Sequence, residues 1–263
     1  MSDAHTPPIK VGLFVTCLAD MFRPEVAFAT VKLLEQAGCS VDVPDTQTCC
    51  GQPAFNSGDN QTSRDIARQT IKAFDGYRYV VGPSGSCIGM LHHYPELFTE
   101  DDPWKARAED LKARAFEITS FLVDELGFSG IQSRFNGRIT YHDSCSGLRE
   151  LGIKQQPRQL LAEIDGVEMH EMQEAETCCG FGGTFCVKYP DISNRMVSNK
   201  TEFAADSGAE TLVGGDLGCL LNMAGKLKRE GREIDVRHVV ELLADMTDNA
   251  AIGEADYDLG KAI

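Results

Sequence analysis

The sequence predicts an α/β protein made of two pseudo-repeated halves, each with a small parallel sheet flanked by helices. Three observations lead there. Short, β-branched apolar runs alternate with helical patterns, the alternation occurs twice in the same order, and one cysteine pattern is written twice at matching places. Parallel neighbours need long crossovers, which the intervening helices supply. The two cysteine copies are Cys17, Cys49-Cys50-Gly51, Cys87 and Cys145, Cys178-Cys179-Gly180, Cys219. Between the single cysteine and the pair lie 31 residues in the first copy and 32 in the second; from the pair to the last cysteine there are 36 and 39. The offsets between copies are 128, 129, 129 and 132, and duplication is their simplest cause. A chain of 263 residues accommodates two units of ordinary domain size. We divide it into residues 1–125, residues 126–247 and an acidic, weakly periodic stretch, 248–263, expected to be a mobile tail.

In chain order, Lys10 to Thr16 reads as a strand ending at Cys17, and Pro24 opens a helix through Val26, Val31, Leu33 and Leu34 that Gly38 stops. Ser40 to Pro44 alternates like a strand and leads to the loop Thr48-Cys49-Cys50-Gly51-Gln52-Pro53. A helix from Thr62 to Phe74, a strand from Tyr79 to Gly82 and a turn over Pro83-Ser84-Gly85-Ser86 bring the chain to Cys87 and a further helix. Thr99 to Arg114 is helical and charged, and Phe121 to Phe135 bridges the halves. The order then repeats: strand Arg138 to His142, Cys145, helix Gln156 to Ile164, strand Val167 to Glu171, and the second Cys-Cys-Gly. Helix Pro190 to Asp206, strand Thr211 to Gly214, Cys219, a helix through Leu220, Met223 and Leu227, and a last strand and helix from Val236 to Met246 complete it. Each of the eight repeated cysteines follows a strand. Ligands of open parallel sheets bind beyond the strands' carboxyl ends, so each half is expected to gather four thiols along one edge.

A net charge of −15 excludes a nucleic-acid-binding role, which needs a basic face to displace counterions. The start carries no charged region followed by an apolar run, and no apolar stretch approaches the roughly 20 residues that span a bilayer. We therefore expect a cytoplasmic protein, in which cysteines read as metal ligands or redox groups more readily than as disulfides. Thiolates are soft ligands suited to iron–sulfur clusters, zinc or cuprous copper, and four per half match a four-thiolate complement. The proposed ligands lack the Cys-x-x-Cys knuckles usual in structural zinc sites and in ferredoxin runs. Adjacent thiols suit a polynuclear centre, where neighbouring residues reach neighbouring metals.

The arrangement resembles the CCG domain, which occurs in pairs in heterodisulfide reductase, in the glycolate oxidase iron–sulfur protein and in lactate utilization protein A. The resemblance runs from Lys10 to Met246 and is closest to the lactate utilization family at Cys17-Leu-Ala-Asp-Met-Phe, Cys49-Cys50-Gly51-Gln52-Pro53-Ala-Phe-Asn56-Ser-Gly58, Gly82-Pro-Ser-Gly-Ser-Cys87 and Cys178-Cys179-Gly180-Phe-Gly-Gly-Thr-Phe. It implies an iron–sulfur cluster of the [4Fe-4S] type, one or two per chain, held by Cys17, Cys49, Cys50 and Cys87 and by Cys145, Cys178, Cys179 and Cys219. It further implies electron transfer in oxidation of L-lactate to pyruvate, together with two partner proteins, one with ferredoxin-type clusters. A small 2-hydroxy acid is then the substrate of the complex. The fuller CCG pattern ends in Cys-x-x-Cys, whereas this chain has Ser84-x-x-Cys87 and Asp216-x-x-Cys219. Ser84 and Asp216 are therefore candidate oxygen ligands. Three other readings stay open: a thiol-disulfide reductase of the heterodisulfide type, the iron–sulfur component of a glycolate or other 2-hydroxy acid oxidase, and a zinc-stabilised scaffold.

Other residues carry weaker signals. His142-Asp143, just before Cys145, offers a general base, with a hydrogen-bonded supporting pair as the plainer reading. Cys186 is a candidate fifth thiol of the second half or a packing residue, and Cys39 reads as a buried inert thiol. Cys87 and Cys219 are placed at helix starts, where the dipole favours thiolate. His92 and His93 read as one packed and one exposed, Arg149 as a solvated arginine or a carboxylate-attracting group, and Asn56 and Gly58 as loop-shaping. Gly180-Phe181-Gly182-Gly183 lacks the spacing of a nucleotide loop after a strand.

Overall fold

The structure is a computed structural model that describes residues 8–254. Strands β1 (Ile9–Leu13), β2 (Cys39–Asp42), β3 (Tyr79–Gly82) and β4 (Ala115–Glu117) form one four-stranded sheet in the order β2-β1-β3-β4. Strands β5 (Arg134–His142), β6 (Asp165–Met169), β7 (Thr211–Gly214) and β8 (Asp235–His238) form the second in the equivalent order β6-β5-β7-β8. Every pairing is parallel. The expected α/β class and the two small parallel sheets are both found.

Burial explains the strand compositions. Parallel sheets covered on both faces read as continuous apolar runs, and all four residues of β7, Thr-Leu-Val-Gly, are buried. Helix Glu25–Gln36 places Val26, Ala29, Leu33 and Leu34 on one buried face, the spacing of an amphipathic helix, and ends at Gly38 with φ +82°. One continuous apolar core takes Val11, Leu13 and Val81 from the first sheet and Ile139, Leu212 and Val213 from the second. A further cluster around Phe14, Phe74 and Tyr94 belongs to the first half. Each fully buried leucine or valine contributes about 1.5–3 kcal/mol. The shared core makes the halves interdependent.

Polar contacts lock the same junction. Arg23 Nε donates to Glu241 Oε1 at 2.8 Å, both side chains buried, and the other Glu241 oxygen accepts from the His238 backbone N–H at 2.8 Å. The His238 ring is 3.1 Å from the Pro83 carbonyl of the other half.

Several boundaries differ from expectation for local reasons. The sequence does not predict β4: its three residues, Ala-Phe-Glu, carry no period of their own and are fixed by pairing with β3. β5 begins at Arg134, inside the expected bridge, which also contains a π-helical turn, Phe121–Glu125. Cys39, one residue before the expected strand, opens β2 and is buried. In the stretch expected as a tail, Ala251 and Ile252 are buried, and Ile252 N–H donates to Val236 C=O at 2.8 Å. Residues 255–263 lie outside the described residues.

Candidate metal centres

All four single cysteines sit in the first turn of a helix, and each helix is capped by the residue type its position needs. Cys17 opens Cys17–Phe22 and Cys145 opens Cys145–Arg149, capped by Thr16, whose hydroxyl accepts from Ala19 N–H, and by Ser144, which accepts from Gly147 N–H. Cys87 and Cys219 are the third residues of Gly85–His93 and Leu217–Arg229. There the caps are Ser84, accepting from Cys87 N–H at 3.3 Å, and Asp216, accepting from Gly218 N–H at 3.2 Å. Ser84 and Asp216 thus hold the positions where the fuller pattern has another cysteine. Both are buried, and Ser84 Oγ donates to Asp216 Oδ2 across the junction at 3.2 Å. Asp216 Oδ2 also accepts from Ser86 N–H at 2.9 Å, so both carboxylate oxygens are engaged within the protein.

The Cys-Cys-Gly loops owe their shape to the glycine. Gly51 has φ +85° and Gly180 φ +82°, the left-handed region that a Cβ disfavours. This turn aims each glycine N–H back at the first thiol of the pair, Gly51 to Cys49 Sγ at 3.5 Å and Gly180 to Cys178 Sγ at 3.4 Å. A side chain at position 180 would also meet the Ser193 carbonyl oxygen at 2.8 Å.

In each half the four thiols converge. Cys17 Sγ and Cys49 Sγ are 3.8 Å apart. Hydrogen bonds from Cys17 and Cys50 hold Cys49 far below the ordinary thiol range, while hydrogen bonding with Cys49 and Cys87 pushes Cys50 up. The second half repeats this: Cys145 and Cys179 pull Cys178 down, and hydrogen bonding with Cys178 and Cys219 pushes Cys179 up. The thiols of each half thus form a hydrogen-bonded chain, Cys17–Cys49–Cys50–Cys87 and Cys145–Cys178–Cys179–Cys219. All ten cysteines are free.

The halves differ in what surrounds the thiols. The first set opens into a cavity of about 220 Å³ lined by Cys17, Cys49, Cys50 and Cys87, with Phe181 and Val187 of the second half on its other side. The second set abuts His142, whose ring and the Sγ atoms of Cys179 and Cys219 offer donor atoms within 4.8 Å of one another. Both ring nitrogens of His142 are buried without a hydrogen-bond partner, and burial lowers its pKa to about 3. Lys200, also fully buried, donates to the carbonyls of Glu174 and Ala175 at 2.7 Å each, with its pKa lowered to about 8 by burial.

The weaker candidates fall in distinct places. Asp143 is not bonded to His142; it receives a bidentate pair from Arg158, Nη1 at 2.8 Å and Nη2 at 2.9 Å, which occupies its carboxylate. Cys186 Sγ donates to the Gly183 carbonyl. The His92 ring meets the Ala115 carbonyl, His93 pairs with Glu96, and Arg149 is exposed. The Asn56 carbonyl accepts from Lys188, and Gly58 is a turn residue with φ +78°. Sequence reasoning missed Lys200, although its signal was present: it shares the buried helix face of Ser193, Val197, Thr201 and Ala204. It also missed Glu117, a buried carboxyl at the end of β4 with one oxygen unpartnered.

Two converged four-thiol sets suit soft metals or a polynuclear centre, and the cavity leaves the first set room for one. Such an architecture defines a duplicated cysteine-rich α/β protein, and the CCG cysteine-rich domain family matches it over residues 11–92 and 139–224. Lactate utilization protein A of Oceanobacillus iheyensis is 49% identical over 235 residues, covering 89% of this chain and 96% of that protein. Those of Macrococcus caseolyticus and Geobacillus kaustophilus are 46% and 48% identical, each over 89% of this chain and over 96% and 98% of the relative. The chain belongs to the lactate utilization protein A family. Among solved structures, a hypothetical protein from Helicobacter pylori shares the fold, with a TM-score of 0.63 at 15% identity. That likeness covers 95% of this chain, which spans 50% of the longer protein.

Proposed function

We propose that this chain is the iron–sulfur electron-transfer subunit of a cytoplasmic system oxidising L-lactate to pyruvate. The observation that carries the proposal is the convergence of two four-thiol sets at the strand ends of two parallel sheets. Cys17, Cys49, Cys50 and Cys87 hold one [4Fe-4S] centre, and Cys145, Cys178, Cys179 and Cys219 hold the other. Such a centre, when bound, supplies a one-electron redox group. The protein supplies the thiolates, directs the Gly51 and Gly180 N–H groups at them, and shields Cys50 and Cys179 from water.

Electrons pass to and from two partner proteins, one with ferredoxin-type clusters, and the 2-hydroxy acid is the substrate of the assembled system. The relatives' name supports lactate as that acid. The first-half thiols are the side open to exchange. Val187, 79% exposed, lines their cavity, and Val43, 47% exposed, lines an adjoining cleft with Cys17 and Cys49, so an apolar rim suited to transient docking surrounds them. Among the described residues no helix is long and apolar enough to cross a membrane.

The test is iron, sulfide and zinc content of protein purified without oxygen, followed by lactate-dependent reduction with the partners added. About eight irons and eight sulfides per chain, bleached on adding lactate only when the partners are present, is the expected result. Zinc without sulfide in a colourless protein would replace this reading with that of a docking scaffold. The cavity beside the first thiols favours a second reading, a thiol-disulfide reductase, which predicts that the isolated, reduced chain cleaves a small disulfide without partners.

A further inference from the structure

A buried histidine with neither ring nitrogen satisfied is costly, because each unpaired polar group loses its solvation with nothing in return. His142 is in that condition, 1% exposed, with Nδ1 and Nε2 both unpartnered. The repeat shows what packing alone requires at this place. Strand registers align Leu13 with Val81 and Tyr141 with Val213, and Val81 and Val213 each precede the last glycine of the equivalent strands β3 and β7. Phe14 is therefore the counterpart of His142, and it is fully buried in apolar surroundings. An aromatic hydrocarbon fills the position in the first half, whereas the second half holds an imidazole beside thiols.

We propose that His142 is a nitrogen ligand of the metal centre in the second half, which is thereby a mixed thiolate–imidazole site while the first-half centre is all-thiolate. The inference rests on the metal-centre reading above and extends it to a residue outside the repeated cysteines. The geometry fits. A ring nitrogen and the Sγ atoms of Cys179 and Cys219 lie within 4.8 Å of one another, so a small inward movement of the side chains brings them to the roughly 3.3–3.8 Å that separates two donors sharing a tetrahedral ion at about 2.0–2.3 Å each. Imidazole and thiolate on one iron centre are chemically compatible ligands. A neutral imidazole binds through its lone pair, so no proton need leave the buried site. The other described histidines have different surroundings: His92 and His238 meet backbone carbonyls, His93 pairs with Glu96 and Glu150, and His170 with Glu168.

The experiment is pulsed electron-nuclear double resonance on the reduced, iron-loaded full chain, with and without ¹⁵N-histidine labelling, alongside His142→Phe. The expected result is a strong nitrogen coupling that changes with the label and is lost in the variant while the first-half signal stays. If His142→Phe does not fold, the label dependence in the unsubstituted protein decides alone. An iron-loaded protein without label-sensitive coupling, or a coupling that persists in a folded His142→Phe, overturns this proposal and leaves the metal-centre reading intact. A protein that takes up no iron on reconstitution overturns both.

Discussion

Ser84 and Asp216 occupy equivalent positions in the two repeats, and they hydrogen-bond to each other at 3.2 Å. Equivalent residues of the two repeats thus meet at the junction. Each also caps the helix that carries the last cysteine of its half, Cys87 or Cys219. One short polar bridge thus fixes both thiol sets relative to the junction. This gives a physical reason for two non-cysteine residues at these positions: each must accept hydrogen bonds from a helix start, and together they join the halves.

Replacing Asp216 with alanine removes the acceptor for Gly218 N–H, Ser86 N–H and the Ser84 hydroxyl at once. Because the site is buried, we expect a loss of about 2–4 kcal/mol in unfolding free energy, combining a lost cap with unsatisfied donors. Anaerobic denaturant unfolding measures this. An effect within a few tenths of a kcal/mol would show that the bridge does not join the halves.

The thiol sets are separate, one per half, so their metal content separates too. Cys178→Ser should lose about half the iron and sulfide and leave the first-half spectrum unchanged, since Cys178 contacts Cys145 and Cys179 and no thiol of the first half. Metal analysis with visible and magnetic spectra checks it. Full iron content in this variant would remove Cys178 from the ligand set.

Gly180 and Gly58 provide a controlled comparison of two glycines with positive φ. At Gly58, φ is +78° and nothing lies within 4 Å of an added Cβ, so Gly58→Ala should cost about 1 kcal/mol, the left-handed penalty alone. At Gly180 the same penalty adds to a 2.8 Å clash with the Ser193 carbonyl oxygen, a backbone atom. Gly180→Ala should therefore cost at least about 2 kcal/mol more and lower metal retention in the second half. Thermal unfolding of the two variants side by side tests the ordering.

The alternation of strands and helices, the duplication and the eight repeated cysteines are legible in the sequence because each is local or a matter of spacing. β4 is not, since three residues fix no period and only pairing with β3 makes them a strand. The repeat itself holds the missing information: β8 is expected after the helix of the second half, and its counterpart belongs after Leu111. The Ser84–Asp216 contact is equally hidden, because it joins residues 132 apart whose meeting depends on how two halves dock. His142 stands out as a histidine at a strand end, but its lack of partners is a property of the packed interior. Asp143, its neighbour in the sequence, is committed to Arg158.

The Glu117 carboxyl makes stability depend on pH. It is buried, its Oε2 accepts from Thr119 N–H at 2.8 Å, Thr119 Oγ1 at 2.6 Å and Ser120 N–H at 3.3 Å, and its Oε1 has no partner. Burial outweighs those hydrogen bonds and raises the pKa from 4.5 to about 7. A carboxyl with a folded pKa above its unfolded value binds more protons when folded. Its contribution is therefore most favourable below pH 4.5 and is lost as pH rises through about 7. The change across that window is on the order of 3 kcal/mol. Glu117→Gln keeps an oxygen for Thr119 and Ser120 and cannot ionise, so it should be more stable than the parent at pH 8 and approach it near pH 5. Anaerobic urea unfolding of both proteins at a series of pH values measures the difference. A gap that stays constant with pH would mean that Glu117 is solvated through its free oxygen and titrates as an ordinary carboxylate.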